Sequence, residues 1–148
     1  MMAAALAARG ATTQVHESGT TPSATAIDLA VASAQNADLV VVSTNNAYAV
    51  DATTKLPTAA AAAQTRLVRA LLATGKPVVV AAMRNPYDVA SFPEAPTVID
   101  TFGYTTHQVE SLVRVLFGEV KPAGRLPVSI PRTDGTGDLF PFGHGLSY

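Results

Sequence analysis

Apolar residues in this chain fall into two alternating patterns. Continuous runs of four to six are separated by stretches in which apolar positions recur every three to four residues. Leu39–Val42 and Val78–Ala82 are of the first kind, as expected for strands covered on both faces, and Thr97–Phe102 is the next strand. Between them, Ile27, Ala30, Val31 and Ala34 mark a helix over about residues 23–36, with Thr21 as its N-cap and Pro22 in its first turn. Thr58 caps a second helix whose stripe is Leu67, Val68, Leu71 and Leu72; Gly75 and Pro77 end it. Thr105 and Gln108 have capping-box spacing, and Val109, Leu112, Val113, Leu116 and Phe117 give the helix behind them its apolar face, closed by Gly118. Shorter signals predict a first strand at Thr12–His16, a short helical piece between Pro86 and Pro93, and a last strand at Leu126–Ile130.

Parallel strands need crossover connections of helix length, so the pattern predicts an α/β domain. It would be a three-layer sandwich, flavodoxin-like in architecture, with a mostly parallel sheet of about five strands and helices on both faces. The 148 residues suit one such domain, divided here into an N-terminal edge (1–22) and the domain proper (23–148). With 48% hydrophobic residues, 14% charged residues and a net charge of −1, the composition shows no basic stripe for nucleic acid and no polybasic cluster for a membrane surface. Cysteine is absent, so neither disulfides nor thiolate metal sites can form. Met1–Arg9 lacks a basic stretch ahead of its apolar run, so it reads as a helix or domain edge and no signal peptide is evident. These residues fit a cytoplasmic and a secreted location equally.

In such sheets ligands bind beyond the carboxyl ends of the strands. Three segments should meet there: Ser43–Asn46, Met83–Asp88 and Gly103–Thr105. Asn45, Asn46, Arg84, Asn85, Asp88 and Tyr104 are therefore the candidate substrate-adjacent or domain-interface residues. Their amides and guanidinium suit sugar hydroxyls or an amide group. An alternative gives Asn85 and Asp88 to capping a short helix, and Arg84 to a surface or domain contact. No glycine-rich phosphate loop, GxSxG elbow or HExxH pair occurs, and His16, His107 and His144 lack metal-site spacing. Cofactor and metal are both expected to be absent. The acidic pair that a flavodoxin-like receiver needs is also missing. A glycosidase typically sets two carboxyl groups about the scissile bond. Asp51 and Asp88 are candidates for the rim, Asp100 falls within or at the end of a strand, and Glu94 and Glu110 fall elsewhere. They form no convincing pair, so no catalytic residue is assigned.

Two further segments carry a resemblance. Gly118–Pro131 reads GEVKPAGRLPVSIP and the tail Phe140–Tyr148 reads FPFGHGLSY. Both resemble motifs of the C-terminal domain of glycoside hydrolase family 3, and the similarity extends over about residues 24–148. Physically, Pro122 and Gly124 shape a turn, Arg125 suits a salt bridge or carbonyl contacts, and Phe140, Phe142 and Tyr148 are expected to pack across the domain. Arg69–Asp88, with LLATGKPVVV and RNPYD, looks like the bacterial β-N-acetylglucosaminidase (β-hexosaminidase) branch.

The resemblance implies a two-domain retaining exo-glycosidase, in which a preceding barrel supplies the Asp nucleophile and most sugar contacts. In the β-glucosidase branch an acid/base Glu stands on a loop after an early strand of this domain. Residues 45–58 contain Asp51 but no Glu and no Arg. In the β-N-acetylglucosaminidase branch an Asp–His pair on the barrel takes that role, so the missing Glu fits that branch. The Gly103-Tyr104-Thr105 segment, which departs from a β-glucosidase Trp-x-Pro-Gly pattern, points the same way. The expected partners are thus a catalytic barrel, in the same or a separate chain, and an N-acetylglucosamine-containing saccharide. The alternative is a stand-alone, noncatalytic carbohydrate-binding or interaction module.

Overall fold

The computed structural model describes residues 1–146. In order, the elements are α1 (Met2–Ala7), α2 (Ala24–Ala34), β1 (Val40–Thr44), α3 (Ala59–Leu72), β2 (Val78–Ala82), a 3₁₀ helix (Pro86–Ser91), β3 (Val98–Asp100), α4 (Thr106–Leu116), β4 (Ile130–Pro131) and β5 (Asp138–Phe140). Strands β1, β2 and β3 form a parallel sheet in that order, with Val42 opposite Val80 and Val80 opposite Val98. Successive side chains leave opposite faces of a strand, so each face collects its own core. On one face Val42, Val78 and Val80 pack with Ala34 of α2, with Leu67, Val68 and Leu71 of α3, and with the fully buried Phe92. On the other, Ala81 and Met83 pack with Val109 and Leu112 of α4, and Met2 of α1 adds to the cluster. The result is a three-layer α/β sandwich.

The helix ends follow from ordinary capping chemistry. Thr58 Oγ1 accepts the Ala61 amide at 3.2 Å at the start of α3. Before α4, Gln108 accepts the Thr105 amide at 2.9 Å, completing the predicted capping box. Gly75 and Gly118 take φ of +73° and +70° just past α3 and α4, a conformation that is cheap only without a Cβ. The cap of α2 differs from expectation: Ser23, not Thr21, is the N-cap, accepting Ala26 N at 3.2 Å, and Pro22 is buried ahead of it.

Three expected strands also change. Residues 12–16 form no strand, since their alternation is polar and Val15, their one large apolar residue, is 61% exposed. The run at 97–102 shortens to Val98–Asp100, because Phe102 turns to φ +53°. The run at 126–130 yields only Ile130–Pro131, which pairs antiparallel with Asp138–Phe140 away from the main sheet. Pro127 and Pro131 lack the N–H a central strand needs, so the segment cannot extend the parallel ladder. The parallel sheet therefore has three strands among the described residues, not about five.

The tail folds back on the segment before it. Leu126 N donates to His144 O at 2.8 Å, Gly143 N donates to Leu126 O at 2.9 Å, and Arg125 donates to the Gly145 carbonyl. Arg125 thus makes the carbonyl contact expected of it. Phe140 stacks on His144 with ring centroids 4.6 Å apart. Phe142, expected to pack across the domain, is instead 73% exposed, with its amide held by the Ser129 hydroxyl at 3.0 Å. The packing expected of Tyr148 lies outside the described residues. At the other end Arg9 pairs with Glu110 of α4 and with Glu119, pinning α1 to the domain.

Candidate functional site

Parallel strands direct their carboxyl ends to one rim, here Thr44, Ala82 and Asp100. The loop after β1 is held from below by two buried polar side chains. Gln64 of α3 accepts the Asn45 amide at 2.8 Å and donates to the Asn45 carbonyl at 3.0 Å and the Thr20 carbonyl at 3.1 Å. Asp88, fully buried in the 3₁₀ helix, accepts the Thr44 hydroxyl at 2.9 Å and the Tyr48 amide at 3.2 Å. Burial pushes the Asp88 carboxyl above its ordinary value, while the backbone amides of Ala47, Tyr48 and Asn46 and the Thr44 hydroxyl oppose that rise. Ser91 donates to the Ala47 carbonyl at 2.9 Å. Asn46 sits at φ +59°, in the left-handed region that Asn tolerates better than most residues.

Asn45 and Asn46 are half-buried, and their side-chain amides make no hydrogen bond among the described residues. Beside them Tyr48 stacks on Tyr87, with centroids 5.7 Å apart and planes 28° apart. Asn85 is occupied as a helix cap, accepting Tyr87 N at 3.1 Å. Arg84 is exposed and makes no hydrogen bond or ion pair among the described residues. Tyr104 is 53% exposed on the loop after β3.

That second rim loop is shaped by Asp100, whose Oδ1 accepts the Phe102 amide at 3.0 Å. Its Oδ2 is buried without a partner. Burial lifts the Asp100 carboxyl to about 6, and the charge of Asp88 adds to the rise. Thr101 Oγ1 donates to the Gly103 carbonyl at 2.6 Å, closing the turn.

The remaining carboxylates are engaged elsewhere. Asp51 accepts the amides of Thr53 at 2.9 Å and Thr54 at 2.7 Å within its own turn, which holds its carboxyl below the ordinary range. Glu94 pairs with Arg69 at 2.7 Å, and Glu110 with Arg9. Two depressions on the described surface have no rim residue in their linings. One lies between the edge of β3 and the end of α4, around Ile99, Leu116 and Phe117; the other lies around Ala90, Pro93 and Arg132. The rim is thus a polar and aromatic ledge, with Asn45, Asn46, Tyr48 and Tyr87 brought together by the Tyr48–Tyr87 stack, and Arg84 and Tyr104 exposed on the other rim loops.

Sequence reasoning missed Gln64 and the structural use of Asp100. Gln64 was detectable as a polar residue four positions before Val68 on the apolar stripe of α3, where a buried amide must find partners.

Residues 2–148 match the family described as Glycosyl hydrolase family 3 C-terminal domain. Among curated proteins the chain is 35% identical over 109 residues to a putative β-xylosidase of Formosa agariphila, covering 58% of this chain and 14% of that protein. It is 31% identical over 157 residues to the periplasmic β-glucosidase of Salmonella typhimurium, covering 82% of this chain and 20% of that protein. A solved structure of a fungal multi-domain family 3 β-N-acetylglucosaminidase superposes with a TM-score of 0.64 at 28% identity, over 95% of this chain and 14% of that one. A β-glucosidase from Erythrobacter marinus gives a TM-score of 0.64 at 26% identity, over 92% of this chain and 23% of that one. The chain therefore spans less than a quarter of the length of these relatives.

Proposed function

Because this chain belongs to the glycosyl hydrolase family 3 C-terminal domain family, we propose that it is the accessory domain of a retaining exo-β-N-acetylglucosaminidase. On this reading it buttresses a catalytic barrel carried elsewhere, and the barrel holds the nucleophile and the acid/base pair. The observation that carries the proposal is the fate of the carboxylates. A retaining pair faces across the scissile bond at about 5 Å. Here Asp88 is buried under Thr44 and the loop after β1, Asp51 closes its own turn, and that loop carries no Glu. The rim contributes a wall to the sugar site through Asn45, Asn46, Arg84 and Tyr104, while Asn85 and Asp88 support it from within.

A second reading, the same accessory role in a β-xylosidase or β-glucosidase, is favoured by the names of the curated relatives. Chromogenic β-glycosides separate the two. Assayed alone, the chain is expected to hydrolyse none of the N-acetylglucosaminide, xyloside or glucoside. Combined with its family 3 barrel, it is expected to turn over the N-acetylglucosaminide fastest. Preference for the xyloside or glucoside moves the assignment to the second reading. Turnover by the purified chain that persists in repeated preparations sinks both.

A further inference from the structure

The loop after β1 is unusual in how completely its backbone is consumed from within. Gln64 takes both the N–H and the C=O of Asn45. Asp88 takes the Tyr48 amide and draws on those of Asn46 and Ala47. Ser91 takes the Ala47 carbonyl, and Ala49 N donates to the Asn46 carbonyl at 3.1 Å. Three side chains from two different helices are thus spent on four residues, two of which, Asn45 and Asn46, keep side-chain amides without partners among the described residues. A buried glutamine or aspartate costs several kcal/mol unless its hydrogen bonds are made, so the loop and its clamps form only together. A fold that needed only a connection between β1 and α3 has no use for such over-determination. A surface that must present two amides in one fixed geometry does, because ordering them before contact removes the entropy cost at the moment of binding.

We propose that Gln64, Asp88 and Ser91 are positioning residues that pre-set the Asn45 and Asn46 amides as a hydrogen-bonding pair for an N-acetylated saccharide at the rim. The proposal rests on the saccharide reading above, and its test keeps the two apart. Amide hydrogen exchange, followed by NMR on this chain, reads the clamps without any ligand. The amides of residues 45–48 should exchange as slowly as those of neighbouring β1. Gln64→Met should speed Asn45 about tenfold, the equivalent of one lost hydrogen bond, and leave β2 and α4 unchanged. Asp88→Leu removes both acceptors and should speed Ala47 and Tyr48 in the same local manner, and Ser91→Ala serves as a second variant should Asp88→Leu fail to fold.

Loop amides that exchange in the wild type as fast as those of the exposed turn 52–55 overturn the proposal. So does acceleration spread evenly over the chain, which marks a merely global loss of stability. Titration with N,N′-diacetylchitobiose then reads the ligand. The side-chain NH₂ signals of Asn45 and Asn46 should shift in the wild type, with apparent affinity about tenfold weaker in Gln64→Met. Slow loop exchange with signals that ignore the saccharide defeats the saccharide reading, and the assignment of the amides with it, while the clamps stand as measured.

Discussion

Single residues at the rim are held by chemistry that makes their ionisation consequential. Asp100 has one oxygen bonded to Phe102 N and the other buried without a partner, and its carboxyl titrates at about 6 in the folded chain. The ordinary value is 3.8, so the folded state binds a proton more tightly than the unfolded state does. The stabilisation is complete below about pH 4 and is lost as the pH rises through about 6. Asp100→Asn keeps the bond to Phe102 and removes the charge. It should raise stability by about 1–2 kcal/mol at pH 7.5, a figure discounted for partial solvent contact, and by nothing at pH 4. Urea denaturation at the two pH values checks this, and an equal effect at both refutes the role given to the charge. Residue-scale reading of the sequence placed Asn45, Asn46, Arg84 and Asp88 on the rim segments, because strand ends are legible from where apolar runs stop. It could not place Gln64 beneath Asn45, since the pairing spans 19 positions and depends on how α3 lies on the sheet.

Elements with strong local signals appeared where the pattern put them. α3 and α4 have caps, stripes and stops that agree, and β1 and β2 each open on three valines, between one helix and the next. The segments that failed had conflicting signals. Residues 12–16 had alternation without an apolar face, and residues 126–130 had apolar character interrupted by proline. Gly103 shows how an element's start depends on space as well as on dihedral angles. A Cβ there would stand 2.5 Å from Gln108 Nε2, displacing the side chain that accepts Thr105 N. Gly103→Ala should therefore cost about 1 kcal/mol, the scale of a lost helix cap. The loss should appear in urea denaturation and as faster exchange in the first turn of α4. A neutral outcome would mean Gln108 finds another route to the Thr105 amide.

At the scale of the whole molecule, the described sheet ends on both sides in strands with a neighbour on one side only. β3 is the more open case. It is three residues long, flanked by an apolar depression, and closed at its carboxyl end by Asp100, the only charge in the strand. Short length and an inward charge are two devices by which proteins keep a sheet border from recruiting a second molecule. In mild acid the second device is switched off, because Asp100 becomes neutral near pH 6. The same protonation that firms the individual fold thus disarms its border. Light scattering at millimolar concentration should show association growing as the buffer is taken from pH 7.5 to pH 5, and a Thr97→Lys variant, at an exposed position beside β3, should suppress it. A crystallographer handling this protein has most to gain by staying on the alkaline side of that titration, where Asp100 keeps the charge that guards the border.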